Sequence, residues 1–150
     1  MAQVSNVFIA VERRKPMRPV DQANAVANKG LEGCLHGRAG SKRQILLVES
    51  ETLRDFGLLP GMIRENITTA GLNLADLQPG QRLGVGEAVL EVTVPCEPCS
   101  RMEEIRTGLQ KELGNRRGLM CRVVEGGRIS RGDTIELIRT KVNAIHGGTR

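Results

Sequence analysis

The chain has 150 residues, enough for one domain with a substantial core, and its 22 Lys and Arg against 17 Asp and Glu give a net charge of +5. With two Phe and neither Tyr nor Trp it lacks a stacking platform for bases, so its modest positive charge argues against nucleic-acid binding and for a basic pocket that takes a small phosphorylated ligand. No run approaches membrane-spanning length and no signal pattern opens the chain, which reads as a cytoplasmic protein whose four cysteines are reduced.

Residues 7–11, Val-Phe-Ile-Ala-Val, read as a strand, followed by a polar connection in which Pro16 and Pro19 oppose helix. Residues 20–29 read as a short helix, because Val20, Ala23, Val26 and Ala27 share one helical face. Residues 30–40 form a glycine-punctuated loop holding Cys34 and His36, and residues 44–48 form an apolar strand buried on both faces. Ser50 is positioned to cap a helix that runs through Phe56 and stops at Gly57.

After a Pro60-Gly61 turn, residues 62–69 read as a strand that carries Arg64, Glu65 and Asn66. Residues 82–94 give two strands broken at Gly84–Gly86. A helix then starts at Ser100, with Met102, Ile105, Leu109 and Leu113 on one side and Gly114 just past its end. Residues 119–124 and 134–138 are the closing strands, and the tail from Lys141 is expected to fray, leaving residues 1–140 as one domain and 141–150 as a flexible end. Many strands at short spacing and only two helices predict a mainly β fold, an antiparallel barrel or sandwich rather than a doubly wound sheet.

The segment Pro95-Cys96-Glu97-Pro98-Cys99-Ser100 is the most informative, because it sets two thiols at a strand-to-helix corner. Ser100 and Glu103 match a capping box, which would leave Cys99 just outside the helix, beside unpaired amides that favour the thiolate. Cys99 is thus the candidate nucleophile or soft-metal ligand, with Cys96 beside it. Cys121, within an apolar strand, is expected in the core. Lys42 and Arg43, directly before the buried strand, are candidates for holding an anion, since guanidinium forks match phosphate. Glu65 and Asn66 are unusual inside a strand, and a buried one needs a partner. No phosphate loop, dinucleotide fingerprint or haem motif is present.

In this order, Gly30-Leu31-Glu32-Gly33, Arg43-Gln44-Ile45-Leu46-Leu47, Pro60-Gly61, Glu65-Asn66-Ile67-Thr68-Thr69-Ala70-Gly71-Leu72, Gly80-Gln81-Arg82-Leu83-Gly84-Val85-Gly86, Leu90-Glu91-Val92-Thr93, Pro98-Cys99 and Arg122-Val123-Val124-Glu125-Gly126-Gly127 resemble the MOSC domain family, named for the C-terminal domain of molybdenum-cofactor sulfurase. The resemblance implies a MOSC-like antiparallel β-barrel with a few short helices and a family cysteine matching Cys99. It implies that this thiolate binds the metal of molybdenum cofactor (molybdopterin), while Lys42 and Arg43 hold the phosphate, Glu65 and Asn66 shape the cofactor pocket, and His36 and Cys96 are secondary participants. Related members reduce N-hydroxylated compounds with electrons from a partner reductase, and others carry sulfur as a cysteine persulfide within a molybdoenzyme pathway.

Pyridoxal phosphate belongs to a partner sulfurase or cysteine desulfurase, not to this chain. Where many members have Gly-Asp-Arg-His, this chain has Gly33-Cys34-Leu35-His36, so Cys34 is a further candidate for a thiol-rich site, and Cys96 is placed to resolve a persulfide on Cys99. The alternatives are a non-enzymatic persulfide carrier, and a zinc- or nucleic-acid-binding module that would recruit Cys34, His36 or Cys121.

Overall fold

A computed structural model describes residues 2–139; the tail expected from residue 141, with His146, lies outside them. The chain order is β1 (Gln3–Ile9), β2 (Arg18–Val20), β3 (Gln22–Val26), β4 (Gly30–Leu31), β5 (Ile45–Glu49), α1 (Ser50–Asp55), β6 (Ile67–Ala70), β7 (Arg82–Val85), β8 (Ala88–Pro95), α2 (Met102–Ile105), α3 (Leu109–Leu113), β9 (Leu119–Glu125), β10 (Gly127–Ser130) and β11 (Ile135–Ile138). The fold is mainly β, as the spacing of apolar runs predicts.

An eight-stranded sheet runs β11-β7-β8-β9-β5-β6-β1-β2, and a three-stranded sheet runs β10-β3-β4. The larger sheet is not a closed barrel. Its β1 and β11 ends meet at a single bridge, Gln3 with Thr134, supported by backbone bonds from Val4 N–H to Asp133 O and from Ile135 N–H to Ala2 O. The bridge joins β1, beside the edge strand β2, to the approach to β11 without a continuous ladder, so the sheet is not closed and a barrel is not shown, while the mainly β fold with a few short helices is.

Alternation decides which faces are buried. In β8, Ala88, Leu90 and Val92 point inward and are essentially inaccessible, while Val89, Glu91 and Thr93 between them are half-exposed. In β5, Ile45, Leu46, Leu47 and Val48 are all buried, because helices and loops cover the outer face. Ile45 and Leu47 join the interior cluster with Leu90 and Cys121. Leu46 and Val48 join a second cluster with Leu53, Met102, Leu109, Leu113 and Met120. Each such side chain contributes roughly 1.5–3 kcal/mol. The second cluster matters for function, because it fixes α2 and α3 against the back of the sheet.

Four local expectations are corrected. Residues 20–29 form no helix: Gln22–Val26 is a strand paired with β10, in which Ala25 is buried and its neighbours face outward. Its apolar spacing mimicked a helical stripe, but the partner strand satisfies the backbone. The strand expected over 62–69 starts only at Ile67, because Arg64 adopts a left-handed backbone (φ 66°) that interrupts extension. Ser50 is the first residue of α1 rather than its cap, and Glu49 at the cap position makes no side-chain capping bond, its carboxylate accepting instead from Leu74 N–H at 2.9 Å; the helix does close at Gly57.

The helix from Ser100 is split. A short α2 ends at Ile105, and α3 begins after Gly108, whose φ of 88° lets the chain reverse. Glu103 does not reach back to Ser100. Its carboxylate accepts from Gly108 N–H at 2.8 Å and Gln110 N–H at 2.9 Å, bonds that lower its pKa and brace the break. The capping box is absent, and α2 begins at Met102, whose N–H donates to Cys99 O.

Candidate functional site

Beyond Pro95, Cys96 N–H donates to Gly118 O at 2.9 Å, which ties the thiol corner to the turn entering β9. Cys99 is exposed, and Cys96 is half-buried against the second apolar cluster. Both thiols line one cavity of about 480 Å³, within the range that holds a cofactor-sized molecule. Leu46 and Met120 give it an apolar floor, while Asn66 and His36 also reach it.

The cavity is strongly cationic. Arg38, Arg43, Arg64, Arg101 and Arg117 line it, and Glu97 is the lone carboxylate among the lining residues. Arg117 decides its character. Its residue is only 5% exposed, and its Nε and Nη1 have no hydrogen-bond partner among the described residues.

Local geometry explains how Arg117 is held there. Gly118, with φ of 130°, lies against the sheet, where a Cβ would stand 2.6 Å from Leu47 O, so only glycine permits this approach. Arg117 is therefore pressed in as β9 begins. A buried guanidinium without acceptors costs several kcal/mol, and an anion in the cavity would supply what is missing.

Arg117 is not among the residues that the sequence singles out, and it stands beside Arg116, an ordinary surface cation. Arg116 bonds Asp55 at 2.9 Å and Thr52 at 3.1 Å and lies over the Phe56 ring. The nearest local trace is the following Gly118 and the apolar run 119–124, which set Arg117 beside the glycine that enters a buried strand.

Arg43 and His36 line the cavity. Burial, then Arg64 and Arg101, lower the pKa of His36, which favours neutral imidazole. Lys42 does not line the cavity; its side chain is exposed, and its carbonyl accepts from the Thr93 hydroxyl.

Glu65 and Asn66 are both buried but differ in role. Asn66 reaches the cavity wall, where its Oδ1 accepts from Leu46 N–H at 2.9 Å and its Nδ2 donates to Phe8 O and to Cys34 Sγ. Glu65 lies behind the wall; its Oε2 accepts from Gly61 N–H at 2.8 Å and from the Thr68 hydroxyl at 2.9 Å. It shapes the loop rather than the lining.

Cys34 does not join the two cavity thiols. It is buried and its sulfur accepts from Ala10 N–H at 3.3 Å as well as from Asn66. Cys121 is fully buried, and burial pushes its thiol up to about 12, which makes it inert. Among the described residues no three His, Cys, Asp or Glu side chains converge as metal ligands. The zinc alternative, which needs four, finds no such group.

The family model described as MOSC domain matches residues 35–136. No curated protein matches the chain. Among solved structures, the YUAD protein from Bacillus subtilis superposes with a TM-score of 0.77 at 22% identity, covering 91% of this chain and 96% of that one. YiiM from Geobacillus stearothermophilus gives 0.73 at 22% identity, covering 96% and 78%, and YiiM from Escherichia coli gives 0.70 at 21%, covering 93% and 71%. At these identities the structures show a common fold. No helix of the described residues is long and apolar enough to cross a membrane.

Proposed function

The chain belongs to the MOSC domain family, and on that premise we propose that it binds molybdenum cofactor in the cavity beside Cys99. The observation that carries this reading is the buried, unpartnered guanidinium of Arg117 in the same cavity as an exposed thiol. That donor set fits the group: a soft thiolate suits molybdenum, and arginines suit a pterin phosphate. Cys99 would be the protein's metal ligand. Arg117 would hold the phosphate, with Arg43 as a second fork and Arg38 at the rim. When bound, the cofactor would supply a two-electron redox centre.

The chain's own residues define what else the site does. His36, whose pKa is lowered by burial and then by Arg64 and Arg101, is held toward the neutral imidazole in the cavity lining. Asn66 fixes its part of the cavity wall through its three bonds. Reduction of N-hydroxylated compounds, fed by a partner reductase, is the activity this reading implies. A cytoplasmic setting suits it, because thiols stay reduced there and all four cysteines are unpaired.

A second reading rests on Cys96 sharing the cavity with Cys99. As a sulfur carrier, Cys99 would receive a persulfide from a partner cysteine desulfurase that holds pyridoxal phosphate. Attack of the Cys96 thiolate on the inner sulfur would form a Cys96–Cys99 disulfide and release hydrosulfide, with no outside oxidant.

Metal analysis of the full chain made in cofactor-producing cells separates the two. The first reading predicts near-stoichiometric molybdenum that is lost in Cys99→Ala and Arg117→Met. Metal-free wild type that gains one sulfur on Cys99 after incubation with a cysteine desulfurase would replace it with the second.

A further inference from the structure

Next to the Cys99 cavity lies a second one of about 440 Å³, and the two share Arg64, Arg101 and Met102 as a common wall. Its remaining surface is mostly apolar, with Phe8, Met17, Leu59, Met62 and Ile105 among its lining residues. Large apolar side chains rarely stand in water in contiguous groups without a use. Of the six exposed large hydrophobic residues among those described, Leu59 (69%) and Met62 (41%) line this cavity, and Leu35 (54%) lines the first.

The shared wall is built rather than incidental. Arg64 occupies a left-handed backbone position that costs a side-chain-bearing residue free energy. Its Nη1 donates to Lys15 O at 2.8 Å, which fixes the guanidinium at the junction. Met62 Sδ accepts from Leu59 N–H at 3.2 Å, holding the apolar lip in place. Two guanidiniums at the junction face one acid of the second cavity, Glu104, so a ligand spanning the wall meets net positive charge there and apolar surface beyond it.

We propose that the second cavity is a subsite for the apolar body of a small amphipathic anion, a single aromatic ring or short chain bearing one anionic group, whose charged end is held by Arg64 and Arg101. A cavity of this size encloses a small molecule, and its charge pattern complements such a ligand. The inference rests on reading the Cys99 cavity as an anion site, and names the class of substrate that would approach it.

Calorimetric titration of the full chain with inorganic phosphate and with phenyl phosphate tests this. The ring's burial predicts that phenyl phosphate binds about tenfold or more tightly than phosphate. The double substitution Leu59→Ser and Met62→Ser, at exposed positions, brings phenyl phosphate down to the level of phosphate. Arg64→Gly relieves the backbone and weakens phenyl phosphate severalfold without lowering the melting temperature, which a purely structural Arg64 would lower. Equal affinities in the wild type, or an advantage that survives the double substitution, overturns the subsite and leaves the anion cavity standing. No binding of either probe overturns both.

Discussion

Asn66 and Arg117 line the same cavity and are buried to nearly the same degree, yet their polar atoms fare differently. Every side-chain polar atom of Asn66 is bonded, to Leu46, Phe8 and Cys34. Arg117 leaves Nε and Nη1 without partners. One is a fastening, in which the fold satisfies itself. The other is a receptor, in which the fold accepts a local cost that a ligand can remove. Burial alone does not distinguish scaffold from site; unmet hydrogen-bonding capacity does so where the unpaired atoms line a cavity, as those of Arg117 do and the equally unpaired Glu65 Oε1 and Thr69 Oγ1 do not.

The sharpest way to break this comparison is Asn66→Leu. It strands a buried N–H of Leu46 and removes the bond to Phe8 O, so we expect a loss of about 3 kcal/mol and a melting temperature lower by about 10 °C, read by calorimetry. The contrasting substitution is Arg117→Met, which removes the unpaired charge while keeping most of the volume. It should stabilise the ligand-free protein by about 1–2 kcal/mol in denaturant unfolding. A clear loss of stability there would mean that the guanidinium is satisfied in solution and that the receptor reading is wrong.

The smallest expected effect concerns His36. Its folded pKa lies below the ordinary 6.5, so at acid pH the unfolded chain binds the proton more readily. Stability should therefore fall as pH drops below about 6.5, and His36→Gln should flatten that slope in urea unfolding. A bound anion offsets the repulsion from Arg64 and Arg101, so saturating phosphate should raise the imidazole pKa in a proton NMR titration.

What was legible in the sequence follows from where the deciding interactions lie. Continuous or alternating apolar runs gave strands β5, β8 and β9 and the inert Cys121, because burial on a sheet leaves a periodic trace. The position of Cys96 and Cys99 between a strand-like and a helix-like run located the thiol corner, and the two thiols do share a cavity. Ala23 and Val26 misled, because alanine-rich strands carry little β signal and their pairing with β10 lies a hundred residues away. Lys42 and Arg43 looked equivalent, but they lie in the segment before β5, which brings only Arg43 to the cavity. Arg117 was illegible for a similar reason: its environment is assembled from distant residues, and a dibasic pair on its own reads as surface.

The pairing of β5 with β6 is the one parallel contact among the described strands. Parallel neighbours cannot be joined by a tight turn, so the chain must make an excursion over residues 50–66 before re-entering the sheet. That excursion carries Leu59, Met62, Arg64 and Asn66 to the two cavities. The topological detour thereby separates two kinds of change: recognition can be retuned by altering a surface span, while the hydrogen-bonded ladder that holds the thiol corner stays untouched.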